Sequence, residues 1–123
     1  MQIQIPPAAE GEVYLGSFVD KNGDVTHTFL LPGDNDRATW QEQMEWAKSI
    51  GGDLPTRAEL LMAYERHRDL FQKAAYWSNT PDDDPEYAGW AWFQGFSDGY
   101  QNLSGQTTRL RARAVRRFIP SKP

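Results

Sequence analysis

The stretch YWSNTPDDDPEYAGWAWFQGFSDGY, residues 76–100, contains half of the Trp, Tyr and Phe residues in a chain of 123 residues. Two aromatic clusters flank an acidic loop at residues 82–86, which has a proline on its N-terminal side and another within it. Aromatic side chains at such density form either a hydrophobic core or a recognition surface. This stretch is therefore central to the prediction of both the fold and the binding site.

Two strands are predicted within the aromatic stretch, at residues 75–79 and 89–97, with the acidic loop between them. The second strand alternates with a period of two, which places Trp90, Trp92 and Phe96 on one face. Large rings on a shared strand face usually belong to a core, and we expect these three to do so.

A β-hairpin is predicted on the N-terminal side. Residues 12–18 and 25–31 have strand patterns, and between them lies Asn22-Gly23. Asn and Gly both tolerate positive φ, so this pair favours a tight hairpin turn. Residues 1–5, which precede a Pro-Pro pair, predict a short edge strand.

Two helices are predicted between the hairpin and the aromatic stretch. Each begins with a capping box, Thr39 with Glu42 and Thr56 with Glu59, in which the two side chains satisfy each other's backbone amides. The Gly51-Gly52 pair ends the first helix. The predicted buried stripes are Trp40, Met44 and Ala47 on the first helix and Leu60, Leu61 and Tyr64 on the second.

The C-terminal segment predicts one last strand at residues 107–119, after a turn or loop at residues 102–106. A slip in its alternation at residues 115–117 indicates a bulge or an edge. The predicted inward residues are Leu110, Ala112 and Ala114, and the predicted outward residues are Arg109, Arg111 and Arg113. Strands, two helices and further strands together predict one α+β domain over residues 1–123.

Four further segments are informative in their order along the chain: GGDLPTRAEL at residues 51–60, Tyr76-Trp77-Ser78, AWFQ at residues 91–94 and RAVR at residues 113–116. Together they resemble the C-type-lectin-like family typified by the C-terminal domain of collagen-like bacterial adhesins, which includes small phage and prophage proteins. The resemblance covers residues 39–118. It implies that the N-terminal hairpin and the C-terminal strand share one sheet, with the first and last strands paired, and that two helices flank it. It also implies a second, small, loop-rich sheet that presents the binding surface.

The chain departs from two related groups. Calcium-dependent sugar-binding lectins use Glu-Pro-Asn or Gln-Pro-Asp and Trp-Asn-Asp, and none of these occurs here. The Leu-Pro-Thr-x-Ala-Glu segment is also similar to formylglycine-generating enzymes, which act through cysteines. This chain has no cysteine, so that activity is not expected.

Composition restricts the partners and the location. The net charge of −4 makes nucleic acid an improbable partner. No apolar window approaches the roughly 20 residues of a membrane span, so no membrane association is expected. The N-terminal sequence lacks the pattern of a secretory signal. We therefore expect a soluble protein, either in the cytoplasm of the host cell or in a virion.

Candidate catalytic and metal sites are weak. The acidic loop lacks the ligand spacing of a calcium loop, and we expect neither a metal nor a cofactor. Residues 95–99, GFSDG, match the nucleophile-elbow pattern, but both histidines precede Ser97. Arg109, Arg111 and Arg113 either grip an anionic partner or form a solvated strand face.

The sequence therefore predicts a non-enzymatic recognition module, phage- or prophage-encoded, that binds a protein or glycan through its long loops. Functional residues often lie on loops that a rigid frame supports. The alternative is a cytoplasmic phage protein that inhibits or redirects a host factor through its charged surfaces. The predicted ligand-binding residues are Asp83, Asp84, Glu86, Tyr87, Trp90 and Tyr100.

Overall fold

Two β-sheets and two α-helices form the α+β fold of this chain in a computed structural model, which describes residues 4–120. The elements in chain order are β1 (Val13–Val19), β2 (Val25–Leu30), β3 (Asn35–Ala38), α1 (Trp40–Ser49), α2 (Arg57–His67), β4 (Ala75–Pro81), β5 (Trp90–Gly95), β6 (Gln101–Gly105), β7 (Leu110–Ala112) and β8 (Val115–Phe118). Short 3₁₀ turns follow α2 and precede β5. The predicted α+β class is confirmed. No helix within residues 4–120 has both the length and the apolar character needed to cross a membrane.

The first sheet has the order β1-β2-β8 and is antiparallel throughout. Its hairpin turns at residues 20–24, where Gly23 has a φ of +84°, a value that favours glycine. The N-terminal hairpin and the C-terminal strand thus share one sheet, as expected. However, the expected pairing of the first and last strands does not occur. Strand β2 lies between β1 and β8, so β8 pairs with β2. Residues 1–3 of the predicted edge strand lie outside the described residues, and Gln4 and Ile5 are not in a strand.

The second sheet has the order β3-β7-β4-β5-β6 and is larger than the small sheet expected. Its strands β4 and β7 are parallel, paired at Tyr76 and Arg111, and the other pairs are antiparallel. The prediction of a turn or loop at residues 102–106 was wrong for residues 102–105, because Gln101–Gly105 forms β6 and pairs with residues 90–94 of β5. Strand β3 was not predicted, since its sequence NDRA lacks the branched and aromatic residues typical of strands.

The predicted last strand is in fact two strands in different sheets. After β7 the chain leaves the second sheet, and β8 begins in the first sheet at Val115. Two backbone hydrogen bonds join this crossing to the α1–α2 connection. The Asp53 amide donates to the Val115 carbonyl at 2.9 Å, and the Val115 amide donates to the Asp53 carbonyl at 2.8 Å. The slip at residues 115–117 therefore marks a change of sheet, and of the two predicted alternatives the edge is confirmed, because β8 is an edge strand of the first sheet.

The second sheet is packed on both faces. Tyr76 and Gln94 share one face, and this face packs against α2 and the first sheet. Trp77 and Phe93 share the other face, which packs against α1. Gly52 lies where the two layers meet, and a Cβ there would be 2.6 Å from both the Val115 carbonyl oxygen and a Leu31 methyl carbon. A side chain at residue 52 would force the layers apart.

Both helices begin at the predicted capping boxes. The Thr39 and Thr56 side chains accept the amides of Glu42 and Glu59, and those glutamates accept the threonine amides in return. Gly51 follows α1 with a φ of +84°, the left-handed conformation that commonly ends a helix, so the predicted end of α1 is confirmed. The buried residues of the helices differ in part from those predicted. In α1 Gln43 is buried as well as Ala47, and in α2 Ala63 is buried whereas Leu61 is exposed.

A charged network joins α2 to the first sheet around Glu59, whose side chain is 3% exposed. Arg117 of β8 donates to both carboxylate oxygens of Glu59, at 2.7 and 2.9 Å, and to Asp53 at 2.8 Å. The hydroxyl of Thr28 in β2 donates to the same carboxylate at 2.7 Å. The capping residue of α2 therefore also fixes that helix to two strands of the first sheet.

Thr56→Ala should lower the free energy of unfolding by about 1 kcal/mol, near the usual loss for an N-cap threonine. The variant loses the bond that the threonine oxygen accepts from the Glu59 amide, 3.1 Å in length. Chemical denaturation measures the change, with the exposed Ala58→Ser of the same helix turn as the control. An unchanged denaturation midpoint for Thr56→Ala would contradict the assignment of this cap.

Candidate recognition surface

The connection between β4 and β5 is the longest exposed run in the aromatic stretch, since each of residues 83–90 is exposed. Its backbone is ordered by local bonds. The Asp82 amide donates to the Trp90 carbonyl at 3.0 Å and closes the base of the loop. The Asp84 carboxylate accepts the Glu86 amide at 3.0 Å and caps the 3₁₀ turn Pro85–Tyr87. The loop therefore presents its side chains from a fixed frame.

Two aromatic rings lie outside on this loop. Tyr87 is 46% exposed and Trp90 is 41% exposed. Their ring centroids are 6.3 Å apart and the rings are nearly perpendicular, an edge-to-face contact. The exposed position of Tyr87 leaves this predicted ligand-binding residue accessible, but the core position expected of Trp90 was wrong.

The face of β5 that contains Trp90 changes from buried to exposed along the strand. Gln94 is fully buried, and Trp92 is half-buried under Arg57 of α2, whose guanidinium lies 3.5 Å from the Trp92 ring centroid. The helix begins at Arg57, so it shields only the later part of the strand. Trp90 lies beyond this cover, which explains its exposure, whereas Phe96 is buried as predicted.

Arg57 was not predicted as part of this site. Its Nε donates to the Gln101 side-chain oxygen at 3.2 Å, and the Gln101 amide nitrogen donates to the Arg57 carbonyl at 2.9 Å. These bonds fix the arginine over Trp92 from the neighbouring strand β6. The residues are far apart in sequence, so no local pattern could have shown that they meet.

The charge of this loop comes from its acidic side chains. No lysine or arginine within residues 4–120 forms a salt bridge with a carboxylate of the acidic loop. Asp83, Asp84 and Glu86 are all exposed. We call this site the aromatic–acidic surface, which consists of Asp82, Asp83, Asp84, Glu86, Tyr87 and Trp90.

Tyr100 does not belong to this surface, although the sequence placed it in the same site. It lies at the far end of the β5–β6 hairpin, where its carbonyl accepts the Gly95 amide at 2.7 Å. Gly95 lies five positions after Trp90 along β5, so the two residues are about 16 Å apart. Tyr100 is 57% exposed, as expected for a loop residue, and its hydroxyl accepts a bond from the Asn102 amide nitrogen. Five of the six predicted residues are therefore together and Tyr100 is apart.

Most arginines of the basic C-terminal segment are used inside the fold. Arg111 binds Asp34 at 2.8 Å, Arg116 binds Glu12 at 2.7 Å, and Arg113 donates to two backbone carbonyls. Only Arg109 of the predicted outward set is exposed. The predicted solvated face of Arg109, Arg111 and Arg113 was thus wrong for two of its three residues, because acidic and carbonyl partners approach β7 from distant segments.

The partner of Arg111 also orders the core. Asp34 accepts a hydrogen bond from the hydroxyl of buried Tyr76. Burial, together with this bond to the Asp34 carboxylate, raises the pKa of Tyr76 to about 12. The phenol therefore stays protonated at neutral pH and remains the donor in this bond.

The GFSDG segment forms a turn between strands β5 and β6. A nucleophile elbow needs a strand, a turn and a helix in succession, so Ser97 lies in a different context. His27 is buried in the first sheet, where its Nδ1 lies 2.9 Å from the Tyr14 hydroxyl.

Removing divalent cations should leave the melting temperature unchanged. Within residues 4–120 no three His, Asp or Glu side chains converge in a way that could hold a metal ion. Carboxylates that do not converge gain little from a cation. Thermal unfolding with and without a chelator tests this, and a decrease that Ca²⁺ alone reverses would contradict it and indicate the acidic loop.

Comparison of the chain with models of known protein families finds no match, and comparison with curated proteins finds none either.

Proposed function

We propose that the chain is a non-enzymatic recognition module of the C-type-lectin-like kind, phage- or prophage-encoded, that binds a protein or glycan through the β4–β5 loop. The observation that supports this most is the position of Tyr87 and Trp90, two large rings in mutual contact yet exposed. Residues of these types dominate the energetics of protein interfaces. Around them lie exposed carboxylates that no cation of residues 4–120 neutralises.

The frame of the loop supports the same proposal. Strands β4 and β5 belong to a sheet packed on both faces, and the loop begins and ends on these two strands. Binding to a preorganised loop costs little conformational entropy. The alternative, action on a host factor through the charged surfaces of the chain, has less support on the basic side, because Arg111, Arg116 and Arg117 pair within the chain.

Tyr87→Ala combined with Asp83→Ala should reduce partner capture from a host lysate about tenfold, as expected for the loss of an interface aromatic. Asp83 is preferable to Asp84, because Asp84 caps the 3₁₀ turn and its loss would disturb the loop. Immobilised wild type and variants are compared by quantitative mass spectrometry of the captured proteins and glycans.

Arg109→Ala is the matched control for this experiment. It removes an exposed charge from the connection between β6 and β7, a segment that is distant from the loop in sequence. Capture that fails for Arg109→Ala but persists for the double variant would place the binding site on the basic segment and overturn the proposal.

A further inference from the structure

The contact of Arg57 with Trp92 shows how this strand face binds a cation. The guanidinium lies over the indole ring, 3.5 Å from its centroid. Such contacts are favourable because the face of an aromatic ring carries partial negative charge, and Trp is the strongest of the aromatic partners. The chain therefore already contains one arginine bound to this row of rings.

Trp90 is the next ring on the same face and has no such cover. It lies two residues from Trp92 along β5, a spacing of about 6.6 Å that keeps both side chains on one side of the sheet. Within residues 4–120 the cation–ring contacts involve Trp92, Tyr64, Phe71 and Phe29, and neither Trp90 nor Tyr87. The rings of Tyr87 and Trp90 are nearly perpendicular, with their centroids 6.3 Å apart, and both are exposed.

The charge beside Trp90 selects among possible occupants. The Asp82 amide is bonded to the Trp90 carbonyl, so the acidic loop starts beside the backbone of this residue. A cation at Trp90 would interact with the ring and with carboxylates that have no cationic partner in residues 4–120. An anionic ligand would be repelled by the same carboxylates.

We infer that the aromatic–acidic surface binds a basic protein segment, which places an arginine or lysine side chain against Trp90 beside the acidic loop. This inference rests on the proposed function and narrows its ligand from a protein or glycan to a cationic protein segment. Trp90 and Tyr87 would supply the apolar contact, and Asp83 and Glu86 would set the association rate and its salt dependence.

A short Gly-Ser peptide with three spaced arginines is the probe, and the same peptide with citrulline at those positions is its uncharged control. Binding is measured by calorimetry and by the NMR shift of the Trp90 indole N–H. We expect the arginine peptide to shift this signal and the citrulline peptide to bind at least about tenfold more weakly. Trp90→Ala should weaken arginine-peptide binding about tenfold, and Asp83→Asn with Glu86→Gln should weaken it and reduce its salt dependence.

Tyr100→Ala is the matched control, because it removes an exposed ring at the far end of the same hairpin. It should leave binding of the arginine peptide unchanged. Equal binding of both peptides, or a loss with Tyr100→Ala as large as with Trp90→Ala, would overturn the inference.

A panel of neutral oligosaccharides separates this inference from the proposed function. If an oligosaccharide shifts the Trp90 signal and the arginine peptide does not, the cationic ligand is wrong and the recognition surface stands. If lysate capture is also insensitive to Tyr87→Ala with Asp83→Ala, both proposals fail.

Discussion

Glu59→Ala should lower the free energy of unfolding by about 3 kcal/mol, since removing one member of a buried ion pair leaves the other charge uncompensated. The Glu59 carboxylate accepts bonds from Arg117, Thr28 and the Thr56 amide, and its side chain is 3% exposed. Arg117 keeps its contact with Asp53, which places the expected loss at the lower end of the usual range. Urea denaturation at neutral pH measures it.

The same carboxylate should make the fold sensitive to acid. Burial alone would raise the pKa of Glu59, but the bonds from Arg117, Thr56 and Thr28 outweigh it and lower the pKa below the ordinary 4.5. A lowered folded-state pKa gives a stabilisation that is present above the unfolded-state value and is lost as the pH falls through the folded-state value. The stability difference between wild type and Glu59→Gln should therefore shrink below about pH 4.5.

Glu65→Ala is the control on the same helix, because Glu65 is exposed. Its stability should lie within about 0.5 kcal/mol of wild type. The double variant Glu59→Ala with Arg117→Ala should lose less free energy of unfolding than the two single variants together, because each single change removes the same interaction. Strict additivity would mean that the two residues contribute independently and that the network described here is wrong.

Trp77→Ala should destabilise the fold by about 4 kcal/mol, in the range found for large aromatic residues removed from cores. Trp77 has no exposed surface, and its indole N–H donates to the Ala38 carbonyl at 3.2 Å. It packs with Ala47 of α1 and Ala91 of β5, small residues that cannot fill the space it would leave. Thermal and urea unfolding measure the loss.

Trp90→Ala is the matched comparison, an indole removed from the same sheet but from its exposed part. It should change stability by less than about 1 kcal/mol. If Trp90→Ala and Trp77→Ala lost comparable stability, Trp90 would belong to the core and would not be available to a partner.

Features decided by neighbouring residues could be predicted from the sequence. The two capping boxes and the Asn22-Gly23 turn each depend on four or five consecutive residues, so their sequences alone indicate the structure. Tyr87 is exposed, which agrees with its position between the two predicted strands of the aromatic stretch.

Features decided by distant residues could not be predicted. The alternation in β5 predicted correctly which residues share a face. The exposure of Trp90, however, depends on where α2 begins, because Arg57 covers Trp92 and no part of the helix covers Trp90. Strand β6 has little β propensity and is ordered by its pairing with β5. The ion pairs of Arg117 could not be predicted, because its acidic partners lie 58 and 64 residues away in sequence.

The change of sheet between β7 and β8 has a consequence for folding during translation. Strand β7 separates β3 from β4, and β8 completes the edge of β2, so neither sheet is whole until residues 110–118 have left the ribosome. Until then the edges of β2 and β4 have no partner on that side and are open to pairing with other chains. The two sheets can therefore be completed only after residues 110–118 have been synthesised, and a nascent chain stalled before residue 110 should be bound by chaperones and sensitive to protease.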